Sequence, residues 1–169
     1  MISLLGKFFP IFARPASRRE ELTELLQESL DDKTSFDSHE GTLLQNFLGL
    51  RDITAADVMV PRADIFSVAL ADGFDDIIQQ MSDANHSRVP VYRETLDDVV
   101  GIIHIKDLFA HLRNGHTPEV ENLLRPALFI SPTIRLLDLL HEMRLRRRHL
   151  ALVVDEFGGV DGLITIEDL

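Results

Sequence analysis

Two aspartates, Asp107 and Asp168, occupy the same place in two nearly identical phrases, GIIHIKDL at 101–108 and GLITIEDL at 162–169. In each, a glycine and an apolar run lead to the acid at the point where strand passes into helix. A carboxylate there can cap the helix N-terminus. It can also accept hydrogen bonds from the paired hydroxyls of a ribose, as an acidic residue does in dinucleotide-binding folds. Thr165, polar within its apolar strand, can bind a phosphate oxygen, and a helix N-terminus favours the same anion. On these residues alone capping and nucleotide binding both stay open. The glycine of each phrase is expected to allow a tight backbone turn after the preceding hairpin.

Other residues offer chemistry of different kinds. The run RLRRRH at 144–149 is basic in an acidic chain. It places positive charge at a helix C-terminus, where the dipole favours it, and it equally aims Arg147 or Arg148 at phosphates or at an acidic partner. Arg88 stands at the equivalent point of the first repeat, which tilts the reading towards phosphate. Seven histidines (39, 86, 104, 111, 116, 141 and 149) include no spaced pair on one helix face with a third ligand nearby, so no metal site is assigned. The pairs Asp31-Asp32, Asp75-Asp76 and Asp97-Asp98 read as solvated turns and helix starts. No nucleophile–base spacing, GxSxG phrase or Walker loop is present, and there is no cysteine. The chain is not expected to be an enzyme.

The elements that must position these groups follow from periodicity. The 169 residues are 45% hydrophobic and carry a net charge of −11, which fits a globular chain and argues against nucleic-acid binding. Residues 1–16 form an apolar tail, too short to span a bilayer, which needs roughly 20 residues. It reads either as an unordered terminus or as a membrane-surface or partner-docking segment. Residues 17–56 read as two short amphipathic helices, the first opened by a Ser17/Glu20 capping box. From there two copies of a β-α-β-β-α unit are expected, at 57–116 and 117–169. In the first, Asp64–Leu70 is a strand, Phe74–Ala84 a helix, Val89–Tyr92 and Val99–Ile105 strands, and Asp107 opens a helix that Gly115 ends. Thr117 and Pro118 start a further helix. In the second, Leu128–Ile130, His149–Val154 and Val160–Thr165 are strands, with a helix over Leu136–Met143. The fold class is α/β (α+β), with the two units as a pseudo-twofold pair.

The repeat resembles the CBS domain pair, or Bateman module, through its two Gly-apolar-apolar-X-apolar-X-Asp phrases. VMVPR at 58–62, HSRVPVY at 86–92 and DEFGGVDGLITIEDL at 155–169 are similar to the CorC/HlyC group, named for magnesium and cobalt efflux and for haemolysin-like proteins. The soluble CorC form is the nearest in shape. The resemblance covers about residues 37–169.

It implies tandem CBS domains with two clefts between them, and binding of AMP, ADP or ATP, in some members with Mg2+. Carried over position by position, Asp107 and Asp168 match the ribose-binding acid, and Thr165 the phosphate-side hydroxyl. Arg88, Val89 and Pro90, with Arg148, His149, Leu150 and Ala151, match cleft walls, as do Val60 and Pro61. His104 stands where the first phrase carries Thr or Ser in the group, and it can donate to a phosphate, more strongly when protonated. The resemblance also implies a homodimer through the CBS domains, a membrane transport partner and a cytoplasmic location, peripheral to the inner face of the plasma membrane. The second unit stops before its closing helix, so an exposed apolar face and self-association are expected. The function expected is a regulatory adenine-nucleotide-binding module. A dimerisation scaffold with vestigial nucleotide sites is the other reading.

Overall fold

The computed structural model describes residues 43, 46, 49, 50, 52–113 and 118–169. The chain divides into two compact bodies, Met1–Leu48 and Gly49–Leu169, and the second holds both repeat units. The tail and the Ser17/Glu20 helix lie outside the described residues. So do Gly115 and Thr117. Of the second pre-helix, Leu43, Asn46 and Gly49 are described, and all three are helical.

Among the described residues the elements run α1 (Ala55–Val58), β1 (Val60–Pro61), β2 (Val68–Ala69), α2 (Gly73–Ala84), β3 (Arg88–Tyr92), β4 (Val99–His104) and α3 (Ile105–Arg113). They continue with β5 (Leu128–Ile130), α4 (Leu136–Leu145), β6 (Leu150–Val154) and β7 (Val160–Thr165). The repeat is visible in the pairing. In each unit the first strand runs parallel to the second, and the second pairs antiparallel with the third. Both hairpins carry a register shift at the same place, after Val91 and after Val153.

The two units exchange their leading segments. β1 opens the first unit yet pairs with β7 of the second, with Val60 opposite Leu163 and Pro61 opposite Gly162. Reciprocally, Arg125, in the leading segment of the second unit, bridges β4 of the first. The Ile102 N–H donates to the Arg125 carbonyl at 2.8 Å, and the Arg125 N–H returns a bond to Ile102 at 2.9 Å.

This crossing explains the two phrase glycines. Neither takes a positive φ, so the expected tight turn is not their role. A Cβ on Gly101 would lie 3.0 Å from both the Arg125 carbonyl oxygen and Leu124 Cβ. A Cβ on Gly162 would meet Met59 and lie 2.9 Å from the Val60 carbonyl oxygen. Each glycine leaves room for the other unit's incoming segment.

Period-two alternation sorts the strands between three cores. Val89, Val91 and Ile103 face α2 residues Phe74, Ile77 and Met81. Ala151, Val153 and Ile164 face α4 residues Leu139 and Met143. The opposite sheet faces, with Ile102, Leu150, Leu152 and Leu163, form a cluster between the units. The heptad-like spacing of the buried helix residues is what places one apolar stripe on each sheet.

Several expectations are corrected. The strand over Asp64–Leu70 is only Val68–Ala69, between 3-10 turns at Arg62–Asp64 and Leu70–Asp72. The alternation there is real but serves two cores without a ladder: Ile65 packs on the inter-unit cluster and Phe66 on the first. Helix α3 starts at Ile105, whose N–H bonds the Ser87 carbonyl at 3.0 Å, so Asp107 is inside its first turn and does not open it. After Pro118 a 3-10 turn, Val120–Leu123, replaces the expected helix and buries Val120 and Leu123 in the first core.

A polar clamp joins the two hairpin ends. Arg62 pairs with Asp97 through both guanidinium nitrogens, Nη2 reaching Oδ2 at 2.9 Å, and Nη1 also donates to the Val160 carbonyl at 2.7 Å. The Val160 N–H donates to Asp97 Oδ1 at 2.8 Å. The Arg62 bonds, then the Val160 N–H, hold the Asp97 carboxyl below its usual value. A depressed acid contributes stability that is complete above the unfolded pKa and lost as pH falls through the folded one. Asp97→Asn is therefore expected to flatten the acid limb of a urea-denaturation series below about pH 4. An unchanged limb would remove the clamp from the account.

Candidate functional site

Two adjoining clefts open where the units meet. The larger, about 340 Å³, is bounded by the end of β4 and start of α3 (His104, Lys106, Asp107), by the crossing segment (Arg125, Pro126), and by the turn after α4 (Arg147, Arg148). The smaller, about 210 Å³, is bounded by Ser87 and by Thr165 and Glu167 of the second phrase. Arg88, His149 and Leu150 line both. The two clefts meet there because Arg88 begins β3 and His149 immediately precedes β6, equivalent points of the repeat.

The helix ends aim the basic residues. Helix α2 is closed by Asn85 at φ +57°, and α4 is followed by Arg147 at φ +53°. In each case the next N–H turns back onto the helix: His86 onto the Met81 carbonyl at 3.3 Å, and Arg148 onto Met143 at 2.8 Å. These are Schellman-type closures. The sharp reversal delivers Arg147 and Arg148 to the first cleft.

The two phrase aspartates do different things. Asp168 takes the Thr165 N–H at 2.8 Å and the Thr165 hydroxyl at 2.7 Å, both on Oδ2, which makes a capping box over the Ile166–Asp168 turn. Oδ1 takes no part in that cap. Asp107 has both oxygens bound by Arg125: Nε to Oδ2 at 2.9 Å and Nη2 to Oδ1 at 2.9 Å. Such a fork-to-fork pair is the strong, planar kind of Arg–carboxylate contact.

His104 is 7% exposed, the buried polar residue of the described core. Its Nδ1 accepts the Lys106 N–H at 3.1 Å, which leaves Nε2 to carry the proton of the neutral ring. Burial first, then the nearby Arg88 and Arg125 charges, push its pKa below the usual histidine value. The ring is neutral at pH 7, so the stronger, protonated donor expected from sequence is not the resting state. An unfolded chain takes up this proton first as pH falls past about 6.5. His104 therefore contributes stability that is whole above that value and lost as pH falls towards the depressed folded pKa. His104→Gln is expected to reduce the stability lost between pH 7 and pH 5 in urea titrations, and an identical loss would contradict this.

The structure thus brings seven of the expected residues to the first cleft: Arg88, His104, Asp107, Arg147, Arg148, His149 and Leu150. Thr165 joins Arg88, His149 and Leu150 at the second, with Asp168 bonded to it. Val60 and Pro61 lie in β1 beside Gly162. Val89 and Ala151 are buried in the two unit cores, Pro90 is buried, and none of the three lines either cleft. Lys106, Arg125, Pro126 and Glu167 were not singled out from sequence. Among the described residues no cluster of three or more His, Asp or Glu could hold a metal ion, and no helix is long and apolar enough to cross a membrane.

Comparison with known proteins agrees with this geometry. The CBS domain family model matches residues 55–114 and 120–169. A hemolysin C homolog from Rickettsia rickettsii is 45% identical over 131 residues, 77% of this chain and 44% of that protein. The chain therefore spans less than half the length of that curated relative. Among solved structures, the CBS domain of a bacterial CNNM/CorC family Mg2+ transporter in complex with ATP is 32% identical with a TM-score of 0.72, covering 77% of this chain and 93% of that one. A CBS-domain pair with bound AMP from Klebsiella pneumoniae is 26% identical with a TM-score of 0.59, covering 69% and 94%. The exchanged strands, the paired clefts and the phrase aspartates are those of a tandem repeat, and the chain belongs to the CBS-domain family, as a pair of the kind found in hemolysin C and CorC proteins.

Proposed function

We propose that this chain is a regulatory module that binds an adenine nucleotide in the cleft around Thr165, Asp168, Arg88 and His149. The observation that carries the reading is the Thr165–Asp168 pair. Its cap uses only Oδ2 of the acid, which leaves Oδ1 for a ribose hydroxyl. Arg88 and His149 stand along the same cleft, where a phosphate would lie. The structural relatives solved with ATP and with AMP support the ligand class.

In this reading AMP, ADP or ATP is a regulatory ligand and not a substrate. Mg2+ enters on the phosphates of a di- or triphosphate. The module works in the cytoplasm, near a membrane transport partner, and reports nucleotide state by biasing how the two units sit together. A homodimer through the CBS domains fits the half-exposed Phe109 and Leu112 of α3. Sedimentation is expected to show a dimer, and a monomer at all concentrations would remove that element.

Thermal melts with AMP, ADP and ATP, with and without Mg2+, test the proposal. At 100 times its dissociation constant a ligand adds about 2.7 kcal/mol, a readily measured rise in melting temperature. No rise with any nucleotide, in a cooperatively folded sample, would favour the second reading of a scaffold with vestigial sites. The closed Asp107–Arg125 pair is the observation on that side.

A further inference from the structure

The first cleft differs from the second in charge, although the two are related by the repeat. Five cationic side chains line it (Arg88, Lys106, Arg125, Arg147 and Arg148) against one carboxylate, Asp107. In a chain of net charge −11 that is a strong local reversal. The repeat-related positions do not carry the same charge. Glu167 stands at the position of Lys106, Val60 at that of Arg125, His86 at that of Arg148 and Asn85 at that of Arg147.

Three details say what such a cleft would accept. The ribose-type acid is already engaged: Asp107 gives both oxygens to Arg125. The Arg125 backbone is fixed by paired bonds to Ile102, which roots its side chain beside Asp107. A nucleoside would have to break a bidentate ion pair to use this acid. Next, Arg147 keeps a left-handed backbone, which is unfavourable for an ordinary L-residue relative to Gly. The first unit puts Asn at that point, the residue that tolerates it best after Gly. A cation is kept where the fold prefers none. Lastly, His104 is buried with Nδ1 satisfied, and its Nε2–H is the remaining donor of a ring that lines the cleft.

We propose that the first cleft is a phosphate-chain site and not a second nucleoside site. Its ligand is a run of linked phosphates, gripped by Arg147, Arg148 and Lys106 and oriented by the His104 Nε2–H. The chain of phosphates has two sources. It is either a free polyphosphate or the tail of a nucleotide seated in the adjoining cleft, since the two clefts share Arg88 and His149. The inference does not depend on the nucleotide reading above, and the two can fail separately.

The test is calorimetry on the full chain with inorganic tripolyphosphate, AMP and ATP, using wild type, Lys106→Ala and Arg147→Asn. The Asn variant suits the left-handed backbone, so it removes the cation without disturbing the fold, and melting curves check this. Tripolyphosphate is expected to bind wild type, more weakly at high salt, and each variant is expected to lose about tenfold in affinity, the loss of one charge-assisted bond. AMP affinity is expected to stay unchanged in both variants. If ATP weakens in step with tripolyphosphate and the two compete, the phosphates are a nucleotide's tail. If ATP is unaffected, they are a separate ligand. Either result supports the site. No tripolyphosphate binding to folded wild type, equal binding by the variants, or a second equivalent of AMP that Asp107→Asn abolishes would overturn it. Absence of AMP binding with tripolyphosphate binding intact would overturn the nucleotide reading alone.

Discussion

Gly162→Val is expected to destabilise the chain by about 1–3 kcal/mol, the range of an overpacked core site. The added side chain enters the path of β1. A Cβ there already meets Met59, with Cγ at 2.7 Å and the Val60 carbonyl oxygen at 2.9 Å. The methionine can bend away, but the carbonyl is backbone and moves only with the strand. Moving β1 breaks its two pairs with β7 and shifts Arg62, one residue beyond, out of its clamp with Asp97 and Val160. Gly101→Val acts on the mirror crossing through Arg125 and Leu124, at 3.0 Å, and is expected to cost less. Urea unfolding of the two variants measures both. A Gly162→Val midpoint equal to wild type would mean that the exchanged strand is not what joins the units.

The second large effect concerns the ligand. With AMP at 100 times its dissociation constant, wild type and Asp107→Ala are each expected to gain about 2.7 kcal/mol of unfolding free energy, and Asp168→Ala to gain almost none. Asp168 also caps its turn, so the variant will be less stable without ligand. The comparison is therefore between increments with and without AMP. Asp57 provides the control. It makes the same capping box with Thr54, at the same 2.8 and 2.7 Å, away from the clefts. Asp57→Ala is expected to lose its cap and keep the full AMP increment. Equal loss of increment in Asp57→Ala and Asp168→Ala would reduce Asp168 to a structural cap.

The repeat made much of this legible. The β-α-β-β order shared by its two units, the helix stripes of α2 and α4, and the hairpin strands follow from apolar periodicity, and β3, β5 and α4 stand within a residue or two of expectation. What sequence alone missed is non-local. The crossing of Val60–Pro61 and Arg125–Pro126 over opposite units leaves a faint trace, a proline after the bridging residue in both segments. Without the crossing, the phrase glycines read as turn residues and Arg125 as a surface cation. The Asp64–Leu70 segment misled because alternation records burial on two sides, and Ile65 and Phe66 achieve that without a partner strand. The difference between Asp107 and Asp168 was invisible for the same reason. It depends on a guanidinium that arrives from 18 residues away.

A crystal structure of the chain grown with AMP is the decisive measurement. One nucleotide per chain is expected, its ribose hydroxyls on Asp168 and its phosphate between Thr165, Arg88 and His149, with the Asp107–Arg125 pair intact. Ribose seated on Asp107 with Arg125 displaced, or empty clefts at saturating AMP, would contradict it.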